Sequence, residues 1–334
     1  MIISRTPLRI SLMGGGSDLP AFYDQEPGCV VSTAINKYIY ITVNRKFDRH
    51  IRASYSVTEN VERLGELKHE LIRESLRLTG VHEGIEITSI SDIPSSGTGM
   101  GSSSSYTVGL LNALHAYVGR HAGAERLASE ACQIEIDVCR KPIGKQDQYI
   151  AAYGGFQCIR FNPDGSVFVD PIICMPETRE ELQRRLLLFY TGITRSANPI
   201  LNEQSACTAN NAQTRNTLRQ MVQMALAMRD ALCSNSLDNL GEMLHESWML
   251  KKSLVSSISN ERIDAFYQRA REHGARGGKL LGAGGGGFLL LDAPPERHPA
   301  IVSALAELRP TPLRFEPQGS KIIYVEESAQ APST

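Results

Sequence analysis

One stretch constrains this chain more than any other. Ile93-Pro94-Ser95-Ser96-Gly97-Thr98-Gly99-Met100-Gly101-Ser102-Ser103-Ser104-Ser105 runs without a break into an amphipathic pattern whose apolar side is Val108, Leu110, Leu111, Leu114, Tyr117 and Val118. A helix start carries unpaired N–H groups and the positive end of its dipole, and glycines let an anion approach that backbone. Four serines add hydroxyls that can bind phosphate oxygens or a metal. A flexible turn with an N-cap serine is the alternative for this stretch alone, although a linker need not feed directly into a helix. A Walker A loop is excluded, because no Lys-Ser or Lys-Thr follows the glycines. A triphosphate held here would need magnesium and basic groups from elsewhere to balance its charge.

A second glycine-rich stretch is Gly277-Gly278-Lys279-Leu280-Leu281-Gly282-Ala283-Gly284-Gly285-Gly286-Gly287-Phe288. Gly282, Gly284 and Gly287 satisfy GxGxxG, but the motif leads into the strand-like Phe288–Leu291. A dinucleotide fingerprint must open a helix, so an NAD enzyme rests on weak ground. A tight hairpin-like connection, or backbone packed against another loop or a ligand, fits the flanks. The third stretch is Thr6-Pro7-Leu8-Arg9-Ile10-Ser11-Leu12-Met13-Gly14-Gly15-Gly16-Ser17-Asp18, with Arg9 on a strand face and Asp18 past a glycine turn. Either charge, taken singly, reads better as a surface residue.

Between these landmarks the periodicity alternates between strand and helix. Leu8, Ile10 and Leu12 against Arg9 and Ser11 predict a half-buried strand, and Cys29–Ile35 and Tyr38–Val43 predict two more. Val61, Leu64, Leu67, Leu71 and Leu78 predict a helix over 61–78, followed by a strand at Ile85–Ile90. A helix is expected at Ala124–Arg140, ended by Lys141, Pro142 and Gly144. Leu186–Tyr190 reads as a buried strand, then mostly helix to Val255 and again at 261–273. Strands at 288–291 and 322–325 flank a helix at 297–308, and the last eight residues read as a frayed tail. Pro171, Pro176 and a run of charges mark a boundary, giving units of 1–180 and 181–334. Both mix strand and helix without βαβ alternation, which favours an α+β class.

Composition narrows the function classes. The 334 residues carry 35 Lys plus Arg against 36 Asp plus Glu, so the basic excess of a broad nucleic-acid surface is missing. No apolar run approaches the roughly 18 residues of a membrane helix. The N-terminus lacks the order of a signal peptide. Seven scattered cysteines without CxxC or zinc spacing fit reduced thiols in the cytoplasm.

Taken in order, the three glycine stretches resemble the GHMP kinases, the superfamily of galactokinase, homoserine kinase, mevalonate kinase and phosphomevalonate kinase. The likeness spans nearly the whole chain; Pro94 with Gly99-Met100-Gly101-Ser102-Ser103 fits the middle motif and Lys279–Gly287 the late one. Within the superfamily, Thr6-Pro7-Leu8-Arg9, Gly14-Gly15-Gly16-Ser17-Asp18, Gly144-Lys145-Gln146-Asp147-Gln148-Tyr149 and Tyr190-Thr191-Gly192-Ile193-Thr194-Arg195-Ser196-Ala197 resemble the branch of D-glycero-D-manno-heptose 7-phosphate kinases.

That resemblance implies an α+β, two-domain GHMP kinase fold, with an N-terminal domain like ribosomal protein S5, a ferredoxin-like C-terminal domain and an active site between them. It implies ATP with its phosphates on Pro94, Gly97, Gly99, Gly101, Ser102, Ser103 and Ser104, with Gly284 and Gly285 of the late loop nearby. By position in the motif, Ser103 and Glu135 would hold Mg²⁺, Asp147 would face the acceptor hydroxyl with Arg9 beside it, and Asp18 would bind sugar hydroxyls. Phosphoryl transfer asks chiefly for positioning and charge neutralisation, with a carboxylate near the attacking hydroxyl, which suits Glu135 and Asp147 in divided roles. Galactokinases carry Glu-His where this chain has Gly15-Gly16, so the residues that grip a free hexose are replaced and a longer sugar has room. A 7-phosphate needs cations; Arg195 is the first choice, then Lys145, Lys141 and Lys37. The implied activity is a cytoplasmic ATP-dependent kinase acting on a sugar phosphate, a step towards nucleotide-activated heptose for a bacterial surface polysaccharide. A 1-kinase for fucose or an unphosphorylated heptose is the near alternative. A silent sugar sensor is the distant one, since it need not keep Ser103, Glu135 and Asp147. The adenine pocket is expected to be apolar and drawn from residues around 55–90.

Overall fold

The computed structural model describes residues 1–94 and 97–326. Ser95, Ser96 and the tail expected to fray lie outside them. The chain opens with strand β1 (Ile2–Met13), the single turn α1 (Pro20–Tyr23) and strand β2 (Gly28–Arg45). The two runs expected at 29–35 and 38–43 are one strand of 18 residues, because β1 pairs along its whole length and absorbs a register shift at Pro7/Leu8. Strands β3 (Ile51–Ser54) and β4 (Thr58–Val61) follow, then helix α2 (Glu70–Thr79) and strand β5 (Ile85–Ser91). The helix expected from residue 61 therefore begins nine residues later: Val61 ends a strand, and the His69 side chain caps the true start by accepting from the Ile72 N–H.

Helix α3 (Ser102–Tyr117) leads to α4 (Ala124–Cys132), which passes into a π-helical turn at Gln133–Val138. Helix α5 (Gln146–Tyr153) and the hairpin β6 (Phe156–Phe161)–β7 (Val167–Pro171) complete this part. The sheet order is β12-β1-β2-β5-β3-β4, with β6 on the other half of β2 and β7 beyond it; β3–β5 is parallel and the other pairs are antiparallel.

Helix α6 (Pro176–Arg185) carries the chain into a second sheet. Its strands β8 (Leu186–Tyr190), β9 (Gly277–Leu280), β10 (Phe288–Asp292) and β11 (Arg309–Pro310) lie in the order β11-β8-β10-β9. Between β8 and β9 run helices α7 (Ala197–Asn210), α8 (Ala212–Cys233), α9 (Leu240–Leu254) and α10 (Glu261–Glu272); α11 (His298–Ala304) precedes β11. The last strand, β12 (Lys321–Val325), does not stay with this sheet: it pairs antiparallel with β1. A cut at residue 180 therefore separates β12 from the sheet it completes.

Strand β1 also departs from expectation. Residues 6–13 are buried on both faces, Arg9 and Ser11 included, because α3 and α5 pack on the sheet and the glycine loops close over the polar side. A buried arginine on a central strand needs a partner, and finding it locates the site.

Candidate active site

Arg9 pairs in two-point fashion with Asp147 at the start of α5: Nε donates to Oδ1 and Nη2 to Oδ2, both at 2.7 Å. Arg9 is 4% exposed, and its Nη1 also donates to the Gly99 carbonyl at 2.5 Å. The pair is thus tied to the Gly/Ser loop, and the Arg9 N–H donates to the Met100 carbonyl at 3.3 Å. Such bidentate contacts fix direction as well as distance.

The loop ends at Gly101, the N-cap of α3, at φ 74°, a conformation natural to glycine. No side chain caps the helix, so its first N–H groups are left free, the kind of helix start that can bind an anion. Ser103 and Ser104, in that first turn, each donate a hydroxyl to Glu135, at 2.8 and 2.7 Å, and Gln148 Nε2 donates to the same carboxylate at 2.6 Å. Glu135 is fully buried. It reaches the serines because the π-turn gives that part of the helix an extra residue: the Lys141 N–H donates to the Glu135 carbonyl, and the Cys139 N–H to that of Ile134. Lys141 Nζ stands 3.2 Å from Ser103 Oγ and 3.9 Å from Glu135. A hydroxyl and one carboxylate, both hard oxygen donors, suit Mg²⁺, which commonly takes one or two carboxylates and completes its shell with substrate phosphates and water.

The late glycine stretch is the connection of the β9–β10 hairpin, as its flanks suggested, and it opens no helix. It packs on the Gly/Ser loop so closely that a Cβ on Gly99 would lie 2.3 Å from the Leu281 carbonyl oxygen. Gly284 lines the resulting cavity. A Cβ on Gly285 would stand 3.0 Å from Arg195 Cδ, and one on Gly97 3.0 Å from the Arg195 backbone.

A cavity of about 1100 Å³ runs from this double loop to an end lined by Tyr55, His69 and Ile90. There His69 lies between Tyr55 and Tyr106, with ring centroids 4.5 and 5.4 Å away. That end combines aromatic and polar groups, more mixed than the apolar pocket expected from residues 55–90. Arg9 and Asp147 form part of its wall, and also the wall of a second pocket of about 80 Å³.

Asp18, Gly15 and Gly16 line the smaller pocket. Asp18 accepts from the Gly16 N–H at 2.9 Å and the Gln146 N–H at 3.3 Å, while burial, the larger effect, raises its carboxyl pKa. Two lysines that the sequence did not single out stand here as well, Lys251 from α9 and Lys279 from β9. Lys251 carries no local motif, and Lys279 stands at the edge of the late glycine motif with no role attached to it, since the helix and the strand bring both in from more than 200 residues beyond Arg9.

The structure brings Arg9, Asp18, Gly15, Gly16 and Asp147 together, and Ser103 with Glu135. Arg195 lines the larger cavity on the Gly/Ser-loop side and is absent from the smaller pocket. Lys145 turns away from both: its Nζ donates to the Gly165 carbonyl at 3.0 Å and sits 4.7 Å above the Tyr23 ring. Its backbone alone touches the site, the N–H donating to the Asp18 carbonyl at 3.2 Å.

Residues 66–155 match the family model of the GHMP kinases N terminal domain, and 228–308 that of the GHMP kinases C terminal. This chain belongs to the GHMP kinases. The D-glycero-alpha-D-manno-heptose 7-phosphate kinase of Campylobacter jejuni subsp. jejuni serotype O:2 is 31% identical to this GHMP kinase over 316 residues, 91% of this chain and 93% of that protein. The L-fucokinase/L-fucose-1-P guanylyltransferase of Bacteroides fragilis is 25% identical, covering 93% of this chain but 37% of its own length. A crystal structure described as a D-glycero-D-manno-heptose 1-phosphate kinase from Bacteroides thetaiotaomicron superposes with a TM-score of 0.81 at 25% identity, over 98% of this chain and all of that one. The two-domain kinase fold that the glycine stretches resemble, and the heptose-kinase branch that the further segments resemble, are therefore borne out. No helix among the described residues is long and apolar enough to cross a membrane.

Proposed function

We propose that this GHMP kinase transfers the γ-phosphoryl group of ATP to the anomeric hydroxyl of D-glycero-D-manno-heptose 7-phosphate, giving the 1,7-bisphosphate. The observation that carries the reading is the Arg9–Asp147 pair, standing in the common wall of the large cavity and the small pocket. A donor in one and an acceptor in the other would meet at that carboxylate. The choice of sugar rests on the 31% likeness to a heptose 7-phosphate kinase.

In this reading the uncapped start of α3, with Gly97, Gly99, Gly101 and Ser102–Ser104, holds the ATP phosphates, and Pro94, Gly284 and Gly285 frame the loops. Arg195 and Lys141, both facing the large cavity, supply positive charge to the transferring group. Ser103 Oγ and Glu135 would hold Mg²⁺, which when bound neutralises phosphate charge. Asp147 Oδ2 accepts the proton of the attacking hydroxyl, and Arg9 keeps that carboxylate aimed while screening its charge from the incoming phosphates. Asp18, held by two backbone N–H groups, accepts from sugar hydroxyls. The working unit is cytoplasmic, in keeping with seven unpaired cysteines, and its product feeds nucleotide-activated heptose for a surface polysaccharide.

The test is ADP release with Mg-ATP against heptose 7-phosphate, free heptose, mannose, mannose 6-phosphate, fucose and galactose. Preference for the 7-phosphate is expected; preference for fucose or free heptose would move the enzyme to the neighbouring 1-kinase reading. Asp147→Asn should lower kcat by roughly 10²–10⁴, and an unchanged rate of phosphoryl transfer would remove Asp147 from the mechanism.

A further inference from the structure

Charge does not balance in the smaller pocket. Arg9, Lys251 and Lys279 line it against the carboxylates of Asp18 and Asp147, and Arg9 and Asp147 are already committed to each other. Lys251 and Lys279 are 6% and 5% exposed, yet among the described residues neither forms an ion pair with a carboxylate. Lys251 Nζ donates instead to the Gly15 carbonyl at 3.2 Å and Gln204 Oε1 at 3.0 Å; Lys279 Nζ donates to the Leu12 carbonyl at 3.3 Å. An ammonium has three N–H donors, so both keep hydrogen-bonding capacity in reserve. A buried cation is unfavourable unless fully compensated: burial, partly offset by the nearby Asp18 carboxylate, pulls Lys251 down to about 8, and burial with the positive charges of Lys251 and Arg9 pulls Lys279 to about 7.

A further donor waits beside them. Gln204 is fully buried, and its Nε2 has no partner among the described residues. The amide orientation follows from its neighbour, since only Oε1 can accept from the Lys251 ammonium. Gly16 opens the space in front of these groups: a Cβ there would lie 2.4 Å from Gln204 Nε2 and 3.4 Å from Lys251 Nζ. Any side chain at this position would fill the gap.

We propose that Lys251, Lys279 and Gln204 Nε2 form the binding site for the acceptor's own phosphate ester, in the space that Gly16 leaves. A phosphate monoester carries close to two negative charges and three acceptor oxygens at neutral pH, which matches two ammonium groups and an unused amide donor. The assignment rests on the kinase reading above and names the substrate's second recognition point. It moves that role from Arg195, which stands on the nucleotide side, and from Lys145, which points elsewhere. A sugar without the phosphate would leave both cations unpaired, so these residues select for the phosphorylated acceptor rather than merely tightening binding.

The experiment compares kcat/KM for heptose 7-phosphate and for free heptose in the wild type, Lys251→Met and Lys251→Arg. The ratio of the two should fall by about 10²-fold in Lys251→Met and recover in large part in Lys251→Arg. A ratio unchanged in Lys251→Met would overturn the proposal. If that variant fails to fold, Lys279→Met is read in the same way. A separate arm titrates inorganic phosphate against enzyme held in saturating Mg-ADP and follows the melting temperature. Stabilisation is expected in the wild type and not in Lys251→Met. A wild type that phosphorylates neither sugar would sink the heptose reading alone; loss of the phosphate effect in Lys251→Met would then still support the anion site, and no phosphate effect in the wild type would overturn it.

Discussion

Lys279 illustrates how little a residue's own sequence context says about its state. It sits in Gly277–Leu280, a short strand buried throughout, and burial first, then the positive charges of Lys251 and Arg9, lower its pKa to about 7 from the ordinary 10.5. Between those values the unfolded chain binds a proton that the folded protein does not, so this group makes stability rise with pH across about 7 to 10.5. Below pH 7 the folded protein must carry the buried charge. Urea midpoints of the wild type should therefore climb from pH 6.5 to 9.5 relative to those of Lys279→Met. Parallel midpoint curves for the two proteins would show that Lys279 keeps its ordinary pKa.

Among the elements, α3 and the β9–β10 hairpin depend on each other. The helix start can serve an anion only because Gly101 leaves it uncapped, and the loop before it is held down by Arg9 on one side and by the hairpin on the other. Gly99→Ala would set a Cβ 2.3 Å from the Leu281 carbonyl oxygen at a φ of +74°. The loops must then part. Stability should drop by about 1–3 kcal/mol, and KM for ATP should rise more than KM for the acceptor. Melting temperature and ATP KM both at wild-type values would mean that the two loops do not need this contact. The π-turn at Gln133–Val138 is the other element that matters, because it turns Glu135 toward Ser103 and Ser104.

In the whole molecule, the chain's last strand closes the sheet that its first strand began. β12 pairs with β1 through Ile2↔Val325, Ile3↔Tyr324, Ser4↔Ile322 and Arg5↔Lys321, and Ser320 Oγ bonds both Thr6 and Asn112. Strand β1 also carries Arg9, so the chain end and the site share a support. A chain ending at Ser320 should melt at a lower temperature and show faster amide exchange along Ile2–Arg5 than along β8 and β10. Equal exchange protection of Ile2–Arg5 in the shortened and full chains would show that β12 is dispensable.

How much of this was legible in the sequence follows from the range of each interaction. The Gly/Ser stretch, the glycine hairpin and the Gly-Lys-Gln-Asp segment are local signals: backbone freedom, glycines that run straight into a helix, and a carboxylate in the break after one are written within a dozen residues. They sufficed for the likeness to the family and the α+β class, and it was that likeness, position by position, that nominated Arg9, Glu135 and Asp147. The sequence could not place Lys251 and Lys279, because a lysine on a helix or a strand reads as a solvated charge until another part of the chain buries it. Nor could it send Lys145 away from the site or β12 back to β1, since strand pairing across some 320 residues leaves no local mark. Local chemistry determined which groups can meet at the site; long-range packing decided which further charges line it, because only tertiary contacts bury a helix or strand lysine.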